Sequence, residues 1–195
     1  MQAQNANERY IDMSLDDLQK SVQALKTALL SSLDTEVQVA GMDAAALVEQ
    51  RVVSSGKKAD GSRFSPYSTK PVPAYYYFGR SLNQSGEQAV RRAAKDRQGV
   101  SYRQFREFNG RNTNVKNFQF TGRMWQGFGV RRVVRLSAGV YRIELGGKTQ
   151  YSETLLGYHE AQEGVDLGEV SQQEADMVRR GIEKRLQSII NQYLK

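Results

Sequence analysis

His159 is the only histidine of the chain, so it is the only side chain whose ordinary pKa suits a general base at neutral pH. Tyr158 precedes it and Glu160 follows it. A Ser–His–acid relay would need a nucleophile beside this pair, and no nucleophile motif accompanies it. Metal binding would need mostly carboxylate ligands, and these lack metal-like spacing. We therefore interpret His159 as a structural hydrogen-bonding residue and predict no catalytic residue, metal, cofactor or enzyme activity; a hydrolase centred on His159 and Glu160 is the less favoured alternative.

A second segment, Gly147-Lys148-Thr149, imitates the end of a phosphate-binding loop. That loop needs another glycine five residues before Gly147, so that successive backbone amides can surround the phosphates. Position 142 is an arginine. We therefore interpret the segment as a simple turn that follows a strand.

Four consecutive aromatic residues, Tyr75, Tyr76, Tyr77 and Phe78, follow Pro71 and Pro73. Together with a guanidinium group such rings can stack on unpaired bases. Aromatic residues beside prolines are more typical of core lids or of interface anchors, since aromatic side chains dominate interface energetics. We therefore predict that these four residues contact another subunit.

A basic stretch follows the aromatic residues: Arg91, Arg92, Lys95, Arg97, Arg103, Arg106, Arg111 and Lys116. Guanidinium groups pair equally well with phosphates and with the carboxylates of a neighbouring subunit. The sequence does not separate these two uses, and a non-specific contact with DNA would weaken steeply with salt. We take Arg91, Arg92, Arg103 and Arg106 as candidates for a subunit interface.

The composition sets broad limits on the protein. The 195 residues carry a formal net charge of +7 and include no cysteine, which excludes disulfides and thiolate chemistry and suits a reducing cytoplasm. Residues 1–9 are polar and predicted to be loose, and residues 1–7 lack the cationic and apolar regions of a signal peptide. No stretch approaches the roughly 18 apolar residues that cross a bilayer. We expect a soluble protein without membrane contact, built as a single domain.

The helix signals lie at the two ends of the chain. Ser14 and Asp17 have capping-box spacing, and an apolar stripe recurs at helical intervals after them: Leu15, Leu18, Val22, Leu25 and Leu29. Asp34 is predicted to cap a second helix that extends to about Val52, in which Gly41 either breaks the helix or lets a neighbour approach closely. Ser171 and Glu174 repeat the capping-box spacing and predict a docked terminal helix.

Between these ends the sequence predicts a hairpin and an arm. Residues 128–136 and 141–145 are rich in β-branched and aromatic residues, and the doubled pairs over 131–134 indicate a bulge or a strand covered on both faces. Residues 71–117 contain scattered glycine and asparagine, so we predict an extended basic arm that orders on assembly. The predicted fold is α+β: N-terminal helices and a C-terminal helix packed on a small antiparallel sheet, with this arm inserted in a single domain over residues 1–195.

Three segments and their order along the chain resemble the virion-morphogenesis family of tailed phages, which includes tail-completion and head–tail neck proteins. The similar segments are 59–64 (ADGSRF), 120–124 (FTGRM) and 167–174 (LGEVSQQE), together with the 158–160 element (YHE). The resemblance covers about residues 34–195 without the basic insertion. It implies structural roles for the motif residues, which are Asp60, Gly61, Phe64, Thr121, Gly122, Tyr158, His159, Glu160, Leu167, Gly168 and Ser171.

The resemblance also implies a function. Such proteins assemble in the host bacterial cytoplasm and form rings, with six copies expected, at the head–tail junction of the virion, against other neck, portal-side and tail-tube proteins. The work is geometric, and a head-to-tail ring needs two different complementary surfaces on each subunit. Independently of the resemblance, Gly122 permits a tight turn where the arm rejoins the sheet, because glycine accepts positive φ without strain. The alternative function is a basic nucleic-acid-binding module that contacts packaged or exiting DNA.

Overall fold

The computed structural model describes residues 14–193, which form six α-helices and two antiparallel two-stranded sheets and confirm the α+β class. Residues 1–9, predicted to be loose, lie outside this range. The helices are α1 (Leu15–Gln50), α2 (Gln84–Lys95), α3 (Tyr102–Phe108), α4 (Arg123–Gln126), α5 (Gln150–Glu163) and α6 (Gln172–Tyr193). The strands are β1 (Pro71–Pro73), β2 (Gly99–Ser101), β3 (Phe128–Ser137) and β4 (Val140–Gly147). None of these helices combines the length and the apolar character that crossing a membrane requires.

Helix α1 is one continuous helix of 36 residues, so the prediction of two helices with a start at Asp34 is wrong. Ser14 caps its N-terminus as predicted, because its hydroxyl accepts a hydrogen bond from the amide of Asp17. Asp34 does not cap a helix, since its carboxylate instead accepts the hydroxyl of Tyr141 at 2.8 Å. A short π-helical turn, Arg51–Ser55, follows α1 and ends at Gly56 with φ +60°, four residues after the end predicted at about Val52.

Gly41 remains inside α1 and lies against the hairpin of β3 and β4, which confirms the second of its two predicted roles. A Cβ atom at this position would lie 2.8 Å from Cγ2 of Val130 and 3.1 Å from Cγ2 of Ile143. The hairpin pairs antiparallel as predicted, with irregular register between Val130 and Arg132 and again near its turn. The missing side chain therefore sets how closely the hairpin approaches the helix.

Helix α6 lies antiparallel along α1. The predicted capping box is present, since the amide of Ser171 donates to Glu174 at 2.8 Å and the amide of Glu174 donates to the Ser171 hydroxyl. Arg51 then pairs with the same Glu174, with both side chains largely buried. Further along, Arg185 bridges two carboxylates of α1, those of Glu36 and Asp43.

The apolar residues form two separate cores. The main core joins α1, the loop after it, the hairpin and α5, and consists of Ala45, Val48, Val52, Phe64, Phe118, Met124, Trp125, Phe128, Leu156 and Leu167. The second core lies within residues 71–117, here called the insert, and consists of Ala74, Tyr77, Val90, Ala93, Val100 and Phe105. Two helices and the β1–β2 pair surround it.

The insert therefore differs from the extended arm that the sequence predicts. Val90 and Val100 are fully buried, and the ring of Tyr77 stacks on Phe105 at a centroid distance of 4.3 Å. The glycines that suggest a loose segment permit close packing instead: a Cβ on Gly86 would meet the side chain of Asn109, and one on Gly99 would meet Pro71. Small residues and a few aromatic rings thus suffice for a local core.

The close approach at Gly41 predicts opposite effects for the same substitution in two helices. Gly41→Leu is expected to lower the free energy of unfolding by about 2 kcal/mol, because a side chain there must displace the β-branched Val130 and Ile143. A Cβ on the exposed Gly157 of α5 would meet no atom within 4 Å, so Gly157→Leu should raise the free energy of unfolding by roughly 0.5–1 kcal/mol through helix propensity. Urea unfolding measures both changes. If both substitutions raised, or both lowered, the free energy of unfolding, the packing described at Gly41 would be contradicted.

Candidate functional site

His159 and Glu160 are neighbours on α5 but contact different parts of the molecule. The imidazole of His159 packs on Phe118, with ring centroids 4.8 Å apart, and its Nδ1 is buried without a hydrogen-bond partner in the described chain. Burial, with a smaller contribution from the charge of Lys116, lowers the pKa of His159 below its ordinary value. Glu160 accepts the amide of Leu167 at 3.0 Å, and burial raises its pKa. The two side chains are therefore not arranged as a relay.

The loop segment of the family resemblance is a compact turn against the main core. Asp60 accepts the amide of Ser62 at 2.8 Å, and Gly61 has a φ of +84°. Phe64 is buried and meets Phe118 edge to face at a centroid distance of 4.9 Å. These three motif residues thus shape the backbone or fill the core.

The remaining motif residues also have structural contacts. Gly122 has a φ of +81° directly before α4, as the turn prediction requires, and the hydroxyl of Thr121 accepts the amide of Arg123. Leu167 is buried in the main core, and the Gly168 amide donates to Asp166. Ser171 caps α6. Tyr158 differs from these residues because its ring is 58% exposed, with its hydroxyl accepting from Gln162.

Three of the four predicted aromatic contact residues face solvent in the single chain. Tyr75, Tyr76 and Phe78 are 59%, 53% and 41% exposed, and the first two rings stack at 4.9 Å. We call these three residues the aromatic patch. Tyr77 instead belongs to the core of the insert.

The candidate arginines divide into surface and buried residues. Arg91 pairs with Glu87 at 2.8 Å and lies over the ring of Phe78. Arg103 pairs with Glu107 at 3.1 Å, and Arg92 is exposed. Arg106 is only 1% exposed, so it lies inside the chain and not on the surface where the sequence predicts it.

Arg106 connects α3 to the loop over residues 112–119, which leads back to the main core. Its Nη2 donates to three oxygens, the carbonyls of Asn112 and Gln119 and the side chain of Asn117. The guanidinium lies over the ring of Tyr67, 4.1 Å from its centroid. Nε has no hydrogen-bond partner between residues 14 and 193.

Asn117 is the second centre of this network. Its Oδ1 accepts from the Tyr67 hydroxyl at 3.1 Å, from Arg106 at 3.2 Å and from the amide of Gln119 at 3.0 Å. Its carbonyl accepts the indole N–H of Trp125 at 3.1 Å. Because Trp125 belongs to the main core and Arg106 to the insert, Asn117 links the two.

A cleft of about 730 Å³ lies where the insert meets the main core. Arg106 and Tyr67 line it from one side, and His159 and Tyr158 of α5 from the other. Phe118, which also lines it, has a φ of +53° although it is neither glycine nor asparagine. Such left-handed backbone at a bulky residue costs about 1–3 kcal/mol and is often found at functional sites.

A buried ion pair lies at the edge of the cleft. Lys116 pairs with Glu163, whose side chain is 3% exposed and also accepts the hydroxyl of Ser65 at 3.0 Å. Burial alone raises the pKa of Glu163, but the hydrogen bonds from Lys116 and Ser65 outweigh it and lower that pKa. The pair is therefore charged at neutral pH and internally neutralised.

Comparison with known proteins adds no relative to this description: no protein-family profile, curated protein or solved structure matches the chain. The family assignment therefore depends on the motif residues themselves and stays a proposal. Sequence reasoning placed Arg106 at an interface and did not single out Asn117, since neither position lies in a recognisable motif.

The network around Arg106 predicts a large stability loss from an apolar replacement. In Arg106→Met the carbonyls of Asn112 and Gln119 lose their donor, which should lower the free energy of unfolding by about 2–4 kcal/mol. Arg92→Met makes the same chemical change at an exposed position and should stay within about 0.5 kcal/mol. Urea unfolding of both variants is the measurement, and similar losses would show that the network is not stabilising.

The environment of His159 predicts a pH-dependent stability. Because its folded pKa lies below the unfolded value, the unfolded chain takes up the proton first as the pH falls through about 6.5. The wild type should therefore lose stability relative to His159→Phe between pH 7 and pH 5.5, while the opposite effect of Glu160 is common to both proteins and cancels. Denaturant unfolding across this range measures both free energies. A wild type whose stability relative to His159→Phe stays constant or rises towards low pH would contradict the prediction.

Proposed function

We propose that the chain is a structural protein of a tailed-bacteriophage virion. It acts in the head–tail neck, where copies form a ring of six that completes the tail and joins it to the head. The motif residues support this proposal through the family that they resemble. Their contacts in the fold support a structural role, since Phe64 and Leu167 fill the main core and Gly122 and Ser171 shape turns and caps.

The observation that carries the proposal is a pair of uncovered apolar surfaces on different parts of the chain. The first is the N-terminal end of the apolar stripe on α1, where Leu15, Leu18 and Val22 are 84%, 47% and 53% exposed. The second is the aromatic patch on the insert. Large exposed apolar side chains grouped in this way are typical of protein interaction surfaces.

The two surfaces suit a head-to-tail interface. In a closed ring each subunit presents two different patches, and each patch contacts the other kind on a neighbour. The aliphatic residues on α1 and the stacked rings of Tyr75 and Tyr76 are two different apolar patches that can pack on each other. The proposal is that the exposed stripe of one copy packs on the aromatic patch of the next.

The candidate arginines give less support to the alternative of nucleic-acid binding. Arg91 and Arg103 already pair with Glu87 and Glu107, and Arg106 is buried. Arg92 remains exposed on α2, together with Lys95, Arg97 and Arg111 of the same basic stretch, so the support for a contact with a phosphate backbone comes from these four cations and not from the other candidate arginines.

Assembly of particles tests the function directly. In a phage that encodes this chain, loss of the protein should leave filled heads and separate tails that lack the completing ring and are not joined, as seen by electron microscopy. The wild-type protein should restore joined particles. Normal infectious particles without the protein, or purified virions that do not contain it, would contradict the proposal.

The interface itself predicts the result of a mixing experiment. Leu18→Glu/Val22→Glu should abolish rings by placing charges in an apolar contact, whereas Gln19→Glu/Gln23→Glu, with the same charge and spacing on the same exposed helix, should leave them intact. Tyr75→Glu/Tyr76→Glu should abolish rings from the other side. Mixing the two defective variants should give pairs of twice 22.0 kDa by mass photometry, because one intact contact remains.

The matched outcomes separate this interface from others. A stripe that packs on another stripe would let the tyrosine variant form pairs alone. Rings formed by either defective variant would show that these surfaces are not the interface. Thermal unfolding should be unchanged in all variants, since the substituted side chains are exposed.

A further inference from the structure

The cleft between the insert and the main core has a charge that its own residues do not balance. Arg106 lines the cleft and is only 1% exposed to solvent. Among the described residues its hydrogen bonds go only to neutral oxygens, and none of the ion pairs includes it. Buried charges in proteins are normally paired.

The neighbours of Arg106 compensate this charge only in part. The ring of Tyr67 lies 4.1 Å from the guanidinium and offers a cation–π contact. Burial raises the pKa of Tyr67, so its phenol is neutral and does not supply a negative charge. The guanidinium Nε has no hydrogen-bond partner in the described part of the chain, so one donor of this buried cation stays unsatisfied.

The rest of the cleft limits how much negative charge it can accept. Lys116 is neutralised by Glu163, and both line the cleft. Among the residues that line the cleft, the balance is therefore one uncompensated positive charge, beside a carboxylate that repels further negative charge. A singly charged carboxylate fits this balance, and a phosphate dianion or a phosphodiester chain does not.

Polar and apolar side chains both line the cleft, and tyrosine rings border its mouth. Phe118, Phe120 and Leu155 line the interior, while Tyr151 and Tyr158 are 47% and 58% exposed at the α5 side. Exposed tyrosines that border an apolar pocket are typical of protein contact surfaces. These walls favour a carboxylate that is attached to large apolar side chains.

From this combination we infer that the cleft binds a carboxylate carried by an apolar segment of another protein. The carboxylate pairs with the guanidinium of Arg106, and the neighbouring apolar side chains pack on Phe118, Phe120 and Leu155. The strained backbone of Phe118 holds its ring in this wall. The inference goes beyond the proposed function, since it holds whether or not the chain assembles into a ring.

Nuclear magnetic resonance can observe this cleft selectively. The chain contains one histidine and one tryptophan. His159 lines the cleft, and the Trp125 indole is bonded to Asn117, which also binds Arg106. The ring signals of His159 and the indole signal of Trp125 are therefore single reporters that need no further assignment.

The probe is the dipeptide N-acetyl-Leu-Phe with a free carboxylate, compared with its C-terminal amide. The acid should shift both reporter signals and saturate, and the amide should bind at least about tenfold more weakly, because only the acid pairs with the arginine. Equal binding of acid and amide, or no binding of the acid at 10 mM, roughly the weak limit of such contacts, would overturn the inference. Tighter binding of phenyl phosphate or of a single-stranded oligonucleotide would overturn it in favour of a phosphate site.

Two substitutions on α5 localise the binding without touching Arg106. Gln162→Glu places a negative charge at the cleft and should weaken the acid about tenfold, whereas Ala161→Glu adds the same charge on the same helix outside the cleft lining and should change it less than about twofold. Equal effects of the two would overturn the inference. Arg106→Gln should abolish binding, and its thermal unfolding shows whether the loss reflects folding. If Arg106→Gln loses its fold, the Gln162 and Ala161 pair still decides the outcome.

Discussion

The hydrogen bonds at the side chain of Asn117 join the two cores of this protein. One oxygen accepts from Tyr67, from Arg106 and from the backbone of Gln119, while the neighbouring carbonyl holds the indole of Trp125. Buried polar networks favour one arrangement to the extent that their members are satisfied, and Nε of Arg106 is a donor of this network that lacks a partner among the described residues. A few polar atoms therefore help to fix the orientation of the insert on the main core.

Helix α1 provides the second constraint. The hairpin packs where Gly41 lacks a side chain, and α6 is fixed along the same helix by ion pairs of Arg51 and Arg185. The Arg51–Glu174 pair is largely desolvated and therefore costly to break from one side, while the partly exposed pairs of Arg185 add a second contact in the same register of α6 along α1. The cleft forms beyond the end of this packed layer, and its position follows from it.

Features with local causes could be predicted from the sequence, and features with distant causes could not. The caps at Ser14 and Ser171, the positive φ of Gly122 and the bulged hairpin depend on residues close in the chain. The continuity of α1 past Asp34 has no such local signal, and the carboxylate of Asp34 instead bonds to Tyr141 of the hairpin, over 100 positions away. The burial of Arg106 likewise depends on Tyr67 and Asn117, and composition alone favours a surface role for any arginine. The candidate cleft was missed for the same reason.

The length of α1 has a geometric consequence for any assembly that uses its exposed end. No described residue of α1 before Ala40 is buried, but α6 flanks the helix back to about Gln23, so the stretch from Leu15 to Val22 extends about 12 Å past α6 at a rise of about 1.5 Å per residue. Inserting one residue would turn its contact face by roughly 100°, whereas seven residues turn it by about 20° less than two full revolutions. Related chains in which this N-terminal part of α1 reaches neighbours at different distances should therefore differ in its length by whole heptads. Each heptad adds about 10 Å and leaves the direction of the contact face nearly constant.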